Sequence, residues 1–417
     1  MWNTAKSIAS LLMSYGLLLL ANGMFGTLLG LRSKLEGFTT DITGLIMAAY
    51  FLGMLFGALH AARVVTRAGH IRSFAAFASI MSVAVLAHIL IINPMVWVIL
   101  RTICGFCMAG MVMIVESWLN ERSTNDNRGR VLSLYMMTSY LGGGMGQLLL
   151  PLADPASFEL FSGASIIFSL ALVPILLTRA AAPKPSTPER MSFKALYKIS
   201  PVGVIGTFTA GLSNSSINSM APVFGKSINM SVGDISLFMA SILLGGMLLQ
   251  FPVGRLSDYF DRRAILVTVA VLTTGAAIAI VWASQQTNIN LLFLTALIYG
   301  GVAYTIYPMS SAQTNDLADK EKLVQVSGSL LFAYGLGATI GPVVTSQFME
   351  RFKPEALFLC IAAGTAFLTL FVLVRIVQRP SGTRKARFLP LGSLGASNKQ
   401  LYTNVQSAFW RKKNKKT

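Results

Sequence analysis

The chain has 417 residues, of which 54% are hydrophobic and only 12% charged, and its mean hydropathy is +0.63. Those values exclude an ordinary soluble domain and fit a polytopic membrane protein. The net charge of +18 does not point to nucleic acid, because the excess lies in an acid-free tail, 379–417, and in residues bordering apolar segments; contact with anionic lipid headgroups accounts for both.

In chain order, the opening Met1-Trp2-Asn3-Thr4-Ala5-Lys6 precedes an apolar run too long for a signal-peptide core and without a small-residue cleavage site. It is therefore read as part of a retained first helix. A spanning helix needs about 20 apolar residues. By that length the segments fall near 8–31, 42–62, 73–92, 95–118, 131–152, 160–178, 200–224, 235–253, 264–283, 290–310, 325–346 and 355–376. The expected fold is all-α: twelve transmembrane helices in two six-helix bundles, 1–178 and 200–378. A cytoplasmic linker, 179–199, separates them, and the basic tail 379–417 is expected to be disordered, with Phe409-Trp410-Arg411 as an interfacial anchor.

Between the eighth and ninth segments lies Gly254-Arg255-Leu256-Ser257-Asp258-Tyr259-Phe260-Asp261-Arg262-Arg263, too charged for a bilayer interior and read as a tight loop. At an offset of 192 residues Ala62, Thr66, Gly69 and His70 align with Gly254, Asp258, Asp261 and Arg262, and upstream Leu52-Gly53 aligns with Leu244-Gly245. The chain is built twice. Gly-x-x-x-Asp-x-x-x-Arg-Arg at this place in a six-helix half resembles the signature loop of the major facilitator superfamily. The usual second glycine is replaced by Asp261 in one copy, and the aspartate by Thr66 in the other. The resemblance covers roughly residues 8–378 and implies a secondary transporter that works by alternating access.

Of the 34 lysines and arginines only Arg32, Lys34, Lys226, Arg351 and Lys353 fall in loops assigned to the outer side. That bias predicts a multi-pass protein of the cytoplasmic (inner) membrane with both termini cytoplasmic.

Charges inside apolar segments are the first candidates for function. Arg101 opens Arg101-x-x-x-Gly105, which resembles the fourth-helix motif of the superfamily, where that arginine is associated with substrate binding or proton movement. The competing reading is a side chain reaching outward to the headgroups. Glu116 lies fifteen residues on, roughly 22 Å along the helix, too far for an ion pair. It is either the proton-coupling acid or a structural ion-pair member with Arg122, Arg128 or Arg130.

The seventh segment is unusually polar, with Asn214 and Asn218, and the repeat sets Asn214 opposite Asn22. Tyr299, Tyr304 and Tyr307 bring hydroxyls to the tenth segment. In the superfamily, helices one, four, seven and ten surround the central cavity. The resemblance therefore implies a substrate site of Asn22, Arg101, Asn214, Asn218 and Tyr304. A cytoplasmic gate is expected from Asp258, Arg262 and Arg263 against Arg128 and Arg130, with Gly69 and Arg67 in the first-half loop. Loop charges Arg63, Arg67 and Arg72 are expected to face Asp316, Asp319 and Glu321.

Glycines crowd the fifth and eleventh segments (Gly142-Gly143-Gly144-x-Gly146 and Gly335-x-Gly337-x-x-x-Gly341-Pro342), as in the fifth-helix motif of proton-coupled exporters. Here Gly-Pro occurs only in the eleventh, and Gly146-Gln147 stands in the fifth. Cys104-x-x-Cys107 puts two thiols on one helical face, but without other soft ligands nearby in sequence they are read as packing residues. The histidines form no metal spacing, with His60 and His70 around the second cytoplasmic turn and His88 packed or near lipid, so no metal and no cofactor is expected. No phosphate-binding loop and no nucleophile–base set occurs, which speaks against an enzyme and for an ion gradient as energy source. The expected activity is symport or antiport of a small solute with protons, by a monomer, export ahead of import. The alternative is a non-transporting receptor or scaffold of the same fold.

Overall fold

The computed structural model describes residues 2–123, 128–177 and 191–378, with the side chains of all of these except 2–7, 128–130, 320 and 324. Twelve helical rods run up and down: α1 (Trp2–Leu35), α2 (Thr40–Ala68), α3 (His70–Leu90), α4 (Pro94–Arg122), α5 (Arg128–Leu148), α6 (Glu159–Leu176), α7 (Pro201–Ser227), α8 (Val232–Tyr259), α9 (Arg262–Ala283), α10 (Ile289–Leu317), α11 (Leu323–Arg351) and α12 (Ala356–Gln378). A short helix, Phe193–Ile199, precedes α7, and no strand occurs among the described residues. Ten of the rods are long and apolar enough to cross a bilayer. The exceptions are α5 and α7, where Gly142 and Gly146 of α5 pack on α1 and Asn214, Ser215 and Ser216 of α7 are buried. Most of the linker 179–199 and all of the tail 379–417 lie outside the described residues.

The loops α2–α3, α4–α5, α8–α9 and α10–α11 share one end of the bundle, which we call the basic end; the other is the far end. Capping fixes where several rods begin. Asn93 accepts from the backbone N–H groups of Met95 and Val96, with Pro94 at the first helical position. Ser200 does the same for Gly203, ahead of α7 with its Pro201.

Two apolar cores form. One joins α1–α6 around Phe25, Phe74, Trp97, Trp118 and Phe161. The other joins α7–α12 around Phe224, Phe238, Tyr299 and Phe358. Small residues set the closest approaches, and they repeat. Gly53 of α2 abuts the Thr102 carbonyl of α4, and Gly245 of α8 abuts the Leu297 carbonyl of α10; a Cβ at either would collide with backbone.

The loop motif differs between halves for a visible reason. Gly69 has φ +85° and ψ 160°, a conformation essentially restricted to glycine. Asp261 at the equivalent place has φ −59° and caps α9 instead, its carboxylate accepting from Arg263 N–H at 2.9 Å. The second glycine is dispensable there because a side-chain cap ends the turn.

Candidate functional site

Arg101 is turned inward, not toward the headgroups. It is 3% exposed, and its guanidinium carbon lies 4.4 Å from the centre of the Tyr50 ring and 5.6 Å from that of Phe25. The close fit of α4 on α2 makes this possible: Gly105, one turn beyond Arg101, packs directly on the Tyr50 carbonyl. A side chain at 105 would push the tyrosine away from the arginine. Tyr50 then donates its hydroxyl to Asn22 Oδ1 at 2.9 Å, so Asn22, Tyr50 and Arg101 form one chain of contacts from α1 through α2 to α4. Among the described residues, the Arg101 Nε and Nη1 atoms have no hydrogen-bond partner.

The second half offers a related pair. Tyr304 donates to Asn218 Oδ1 at 2.9 Å, linking α10 to α7. Tyr304 sits where α10 breaks between Ala303 and Ile306. Pro308 cannot supply the N–H that the Tyr304 carbonyl would accept, and the Thr305 hydroxyl bonds back to the Val302 carbonyl at 2.7 Å. One turn before Asn218, Asn214 is 1% exposed, and neither its amide oxygen nor its amide nitrogen has a partner among the described residues. The hydroxyls of Ser213, Ser216, Tyr299 and Ser310 are likewise buried and unpaired. The first half approaches this cluster through Tyr140 of α5, whose ring lies 6.2 Å edge-on from Tyr304. Thus Asn22 and Arg101 come together in one half and Asn214, Asn218 and Tyr304 in the other.

Glu116 is 5% exposed and accepts from the Tyr135 hydroxyl at 2.7 Å. Tyr135 stacks on Tyr15 at 4.5 Å, and Tyr15 bonds Ser139 at 2.8 Å, so the acid belongs to an α1–α4–α5 network. Sequence reasoning missed Tyr15, Tyr50 and Tyr135. They fall in apolar runs with no charge or repeat partner to mark them.

At the basic end, Arg262 is 2% exposed and holds Asp316 at 2.7 Å and Asp258 at 3.7 Å, while Arg263 lies 3.6 Å from Asp261. Each of these contacts joins two residues of the second half, and the acid that was expected to face Arg63, Arg67 and Arg72 holds Arg262. Arg63 and Arg67 are exposed, and the side chains of Arg128 and Arg130 lie outside the described residues. In the adjoining loop Lys322 holds the Asp319 carboxyl below the usual carboxylate range through a 2.8 Å bond.

The halves meet at the far end. The Thr40 backbone N–H donates to Glu350 Oε2 at 2.8 Å, and Ser236 donates to the Gln147 carbonyl at 2.6 Å. Gly30 of α1 also packs near the Ser219 carbonyl and Pro222 of α7. Gln147 further ties α5 to α1, accepting from Thr27 at 2.7 Å and donating to the Gly23 carbonyl at 3.1 Å.

Twelve rods in two repeated halves, with polar groups buried where the halves face each other, define a polytopic membrane transporter. The sequence pattern of the Major Facilitator Superfamily matches residues 11–201 and 203–413, and the chain belongs to that family. It is 31% identical over 376 residues to the uncharacterized MFS-type transporter YcaD of Escherichia coli strain SE11, covering 89% of this chain and 96% of that one. The YcaD of Salmonella arizonae is 30% identical over 373 residues. Among solved structures, the nucleoside transporter NupG superposes with a TM-score of 0.74 at 13% identity, over 88% of this chain and 98% of that one. A bacterial homolog of the human lysosomal transporter Spinster, inward-facing and occupied, gives 0.69 at 16% identity, over 89% and 94%.

Proposed function

We propose that the protein is a secondary active transporter that carries a small solute across the cytoplasmic membrane by alternating access of the halves 1–178 and 200–378. The basic end faces the cytoplasm, as do both termini. The observation that carries this reading is that each half buries polar groups with no partner among the described residues, Arg101 on α4 and Asn214 on α7. Such groups are costly to bury without a partner, and a bound solute supplies one. Asn22, Asn218 and Tyr304 complete the proposed site.

Contacts between the halves at the far end, Thr40 to Glu350 and Ser236 to Gln147, support an inward-facing state. Alternation then requires a second closure at the basic end, by Asp258, Arg262 and Arg263 against Arg128 and Arg130, with Arg67 and Gly69 in the opposing loop. Glu116 is the proposed proton carrier, since it is a buried acid hydrogen-bonded to a tyrosine relay. Export is the inferred direction, from the glycine-lined α1–α5 seam, where Gly146 lies on the Leu20 carbonyl. We take the working unit to be a monomer surrounded by anionic lipids.

Solute flux into proteoliposomes, with and without an imposed pH gradient, tests the proposal. Uptake of some solute from a panel of sugars, amino acids, organic acids and lipophilic cations should accelerate when the gradient is present. Absence of flux for every class, with correctly inserted protein, would sink the transport reading.

A further inference from the structure

We infer that the transported solute is an organic anion whose negative group docks on Arg101, an inference that rests on the transport reading above. The Arg101 guanidinium carbon lies over the faces of two aromatic rings, 4.4 Å from the centre of Tyr50 and 5.6 Å from that of Phe25. Rings satisfy the face of a cation and leave its in-plane N–H edge untouched. Among the described residues, the Arg101 Nε and Nη1 have no hydrogen-bond partner. Nε and Nη1 point to different sides of the guanidinium, and each can donate a charge-assisted bond to an oxygen of a carboxylate, sulfonate or phosphate.

Among the described residues, no carboxylate pairs with Arg101. Glu116, on the same helix, is roughly 22 Å away by helical rise and is engaged by Tyr135. His88, which packs edge-on against the same Phe25 ring at 5.3 Å, bonds the Ala84 carbonyl through Nδ1 and brings no negative charge. Cys104, one turn along α4, is fully buried and has no disulfide partner. The other groups proposed for the site, Asn22, Asn214, Asn218 and Tyr304, are neutral. A cationic solute would meet an unopposed positive charge in a medium of low dielectric, whereas an anion would neutralise it.

Asn214 then assigns the other end of the solute. Its amide offers both donors and an acceptor, all unpaired, from the opposite half. A solute with a hydroxyl, carbonyl or amide remote from its anionic group would touch both halves at once and so couple its own binding to their closure. Selection by charge also agrees with export, because the inside-negative membrane potential drives an anion outward.

The test uses the full-length protein in phosphatidylcholine nanodiscs, where the lipid supplies no net anion. Thermal unfolding is followed with benzoate, hexanoate, succinate, thiocyanate and inorganic phosphate, each against a neutral control (benzamide, hexanamide), and with tetraphenylphosphonium as the cation. At ten times its dissociation constant an anion that binds should raise Tm by about 2 °C. The rise should vanish in Arg101→Gln and return in part in Arg101→Lys, which keeps the charge but not the planar edge. Arg101→Met, which fills the same aromatic slot without charge, should unfold at a higher temperature than the unliganded wild type and covers the case in which Arg101→Gln fails to fold.

Stabilisation by tetraphenylphosphonium or the amides with the anions silent would overturn the inference. So would anion stabilisation that survives Arg101→Gln, or an unliganded Tm that falls in Arg101→Met while no anion moves the wild type. Anion binding through Arg101 without flux in proteoliposomes would instead leave the site standing and sink transport.

Discussion

The Glu350 carboxylate, at the end of α11, accepts the backbone N–H of Thr40, at the start of α2, at 2.8 Å. Two residues 310 apart in sequence thereby join the halves at the far end. A carboxylate at a helix start gains from the unpaired donors and the dipole there, by about 0.3–2 kcal/mol depending on burial. Lys34, which bonds the Thr40 hydroxyl at 2.8 Å, adds a positive charge to the same corner.

Because this contact belongs to the far-closed state, Glu350→Gln should move the population toward the far-open one. The energy above corresponds to a change of about 2- to 30-fold in the ratio. Spin labels across the far ends of α2 and α11 report it as growth of a longer-distance peak. A distance distribution identical to wild type would show that Glu350 does not hold the closure.

Gln147 is a second tie at this end. Its side chain bonds Thr27 and the Gly23 carbonyl, and its own carbonyl accepts from Ser236 of the other half. Gln147→Ala leaves the buried Thr27 hydroxyl without its acceptor, a cost of about 1–3 kcal/mol. The thermal midpoint should fall accordingly, while Ser236→Ala, which removes only the cross-half bond, should perturb the state distribution more than the midpoint.

The sequence carried the architecture more plainly than the site. Twelve rods followed from apolar lengths, and the doubling from pairs such as Gly53 and Gly245, because backbone-to-backbone approaches tolerate only glycine and so leave a mark in the sequence. Arg101 and Glu116 stood out because charge in hydrocarbon is rare. Their partners did not. Tyr50 and Tyr135 are apolar in outline, and nothing in a one-dimensional pattern says which hydroxyl faces which charge. The far-end tie was equally hidden, since Thr40 contributes a backbone N–H that any residue would offer.

The Glu116–Tyr135 bond gives two variants with different outcomes. Glu116→Gln should abolish the dependence of flux on a pH gradient and spare exchange at equal pH. Tyr135→Phe keeps the acid and removes its 2.7 Å donor, so coupling should persist with an altered pH profile. If both variants merely lower the amount of folded protein by the same degree, Glu116 is a structural member of the α1–α4–α5 network and carries no proton.

The two copies of the loop motif should respond differently to the same residue. Gly69→Ala forces a side chain into φ +85°, ψ 160°, at a cost of about 1–3 kcal/mol. Asp261→Gly replaces a side-chain cap by a flexible residue at φ −59°, which costs only a few tenths of a kcal/mol. Thermal unfolding of the two variants side by side reads the difference, and equal losses would contradict the assignment of Asp261 as a cap.

Arg262 offers the sharpest test at the basic end. It is 2% exposed, its Nε donates to Asp316 at 2.7 Å, and Asp258 lies 3.7 Å from its Nη2. A buried pair draws attraction from the low dielectric yet is costly to desolvate, so removing one partner is far worse than removing both. Arg262→Met alone removes the cation 2.7 Å from Asp316, whose side chain is only 7% exposed, and should cost up to about 3–5 kcal/mol. Asp316→Asn alone should cost less, since the amide still accepts from the guanidinium and Asp258 still faces the positive charge. In the double variant the buried acid is gone together with its cation, and stability should recover by about 1 kcal/mol or more relative to Arg262→Met. The same double variant discriminates stability from gating: the halves should still alternate, because both residues belong to the second half, unless Arg262 also orients Asp258 toward the start of α5. Restored stability with a population shifted toward the inward-open state would assign Arg262 that second role, whereas additive losses in the cycle would show that Arg262 and Asp316 act independently.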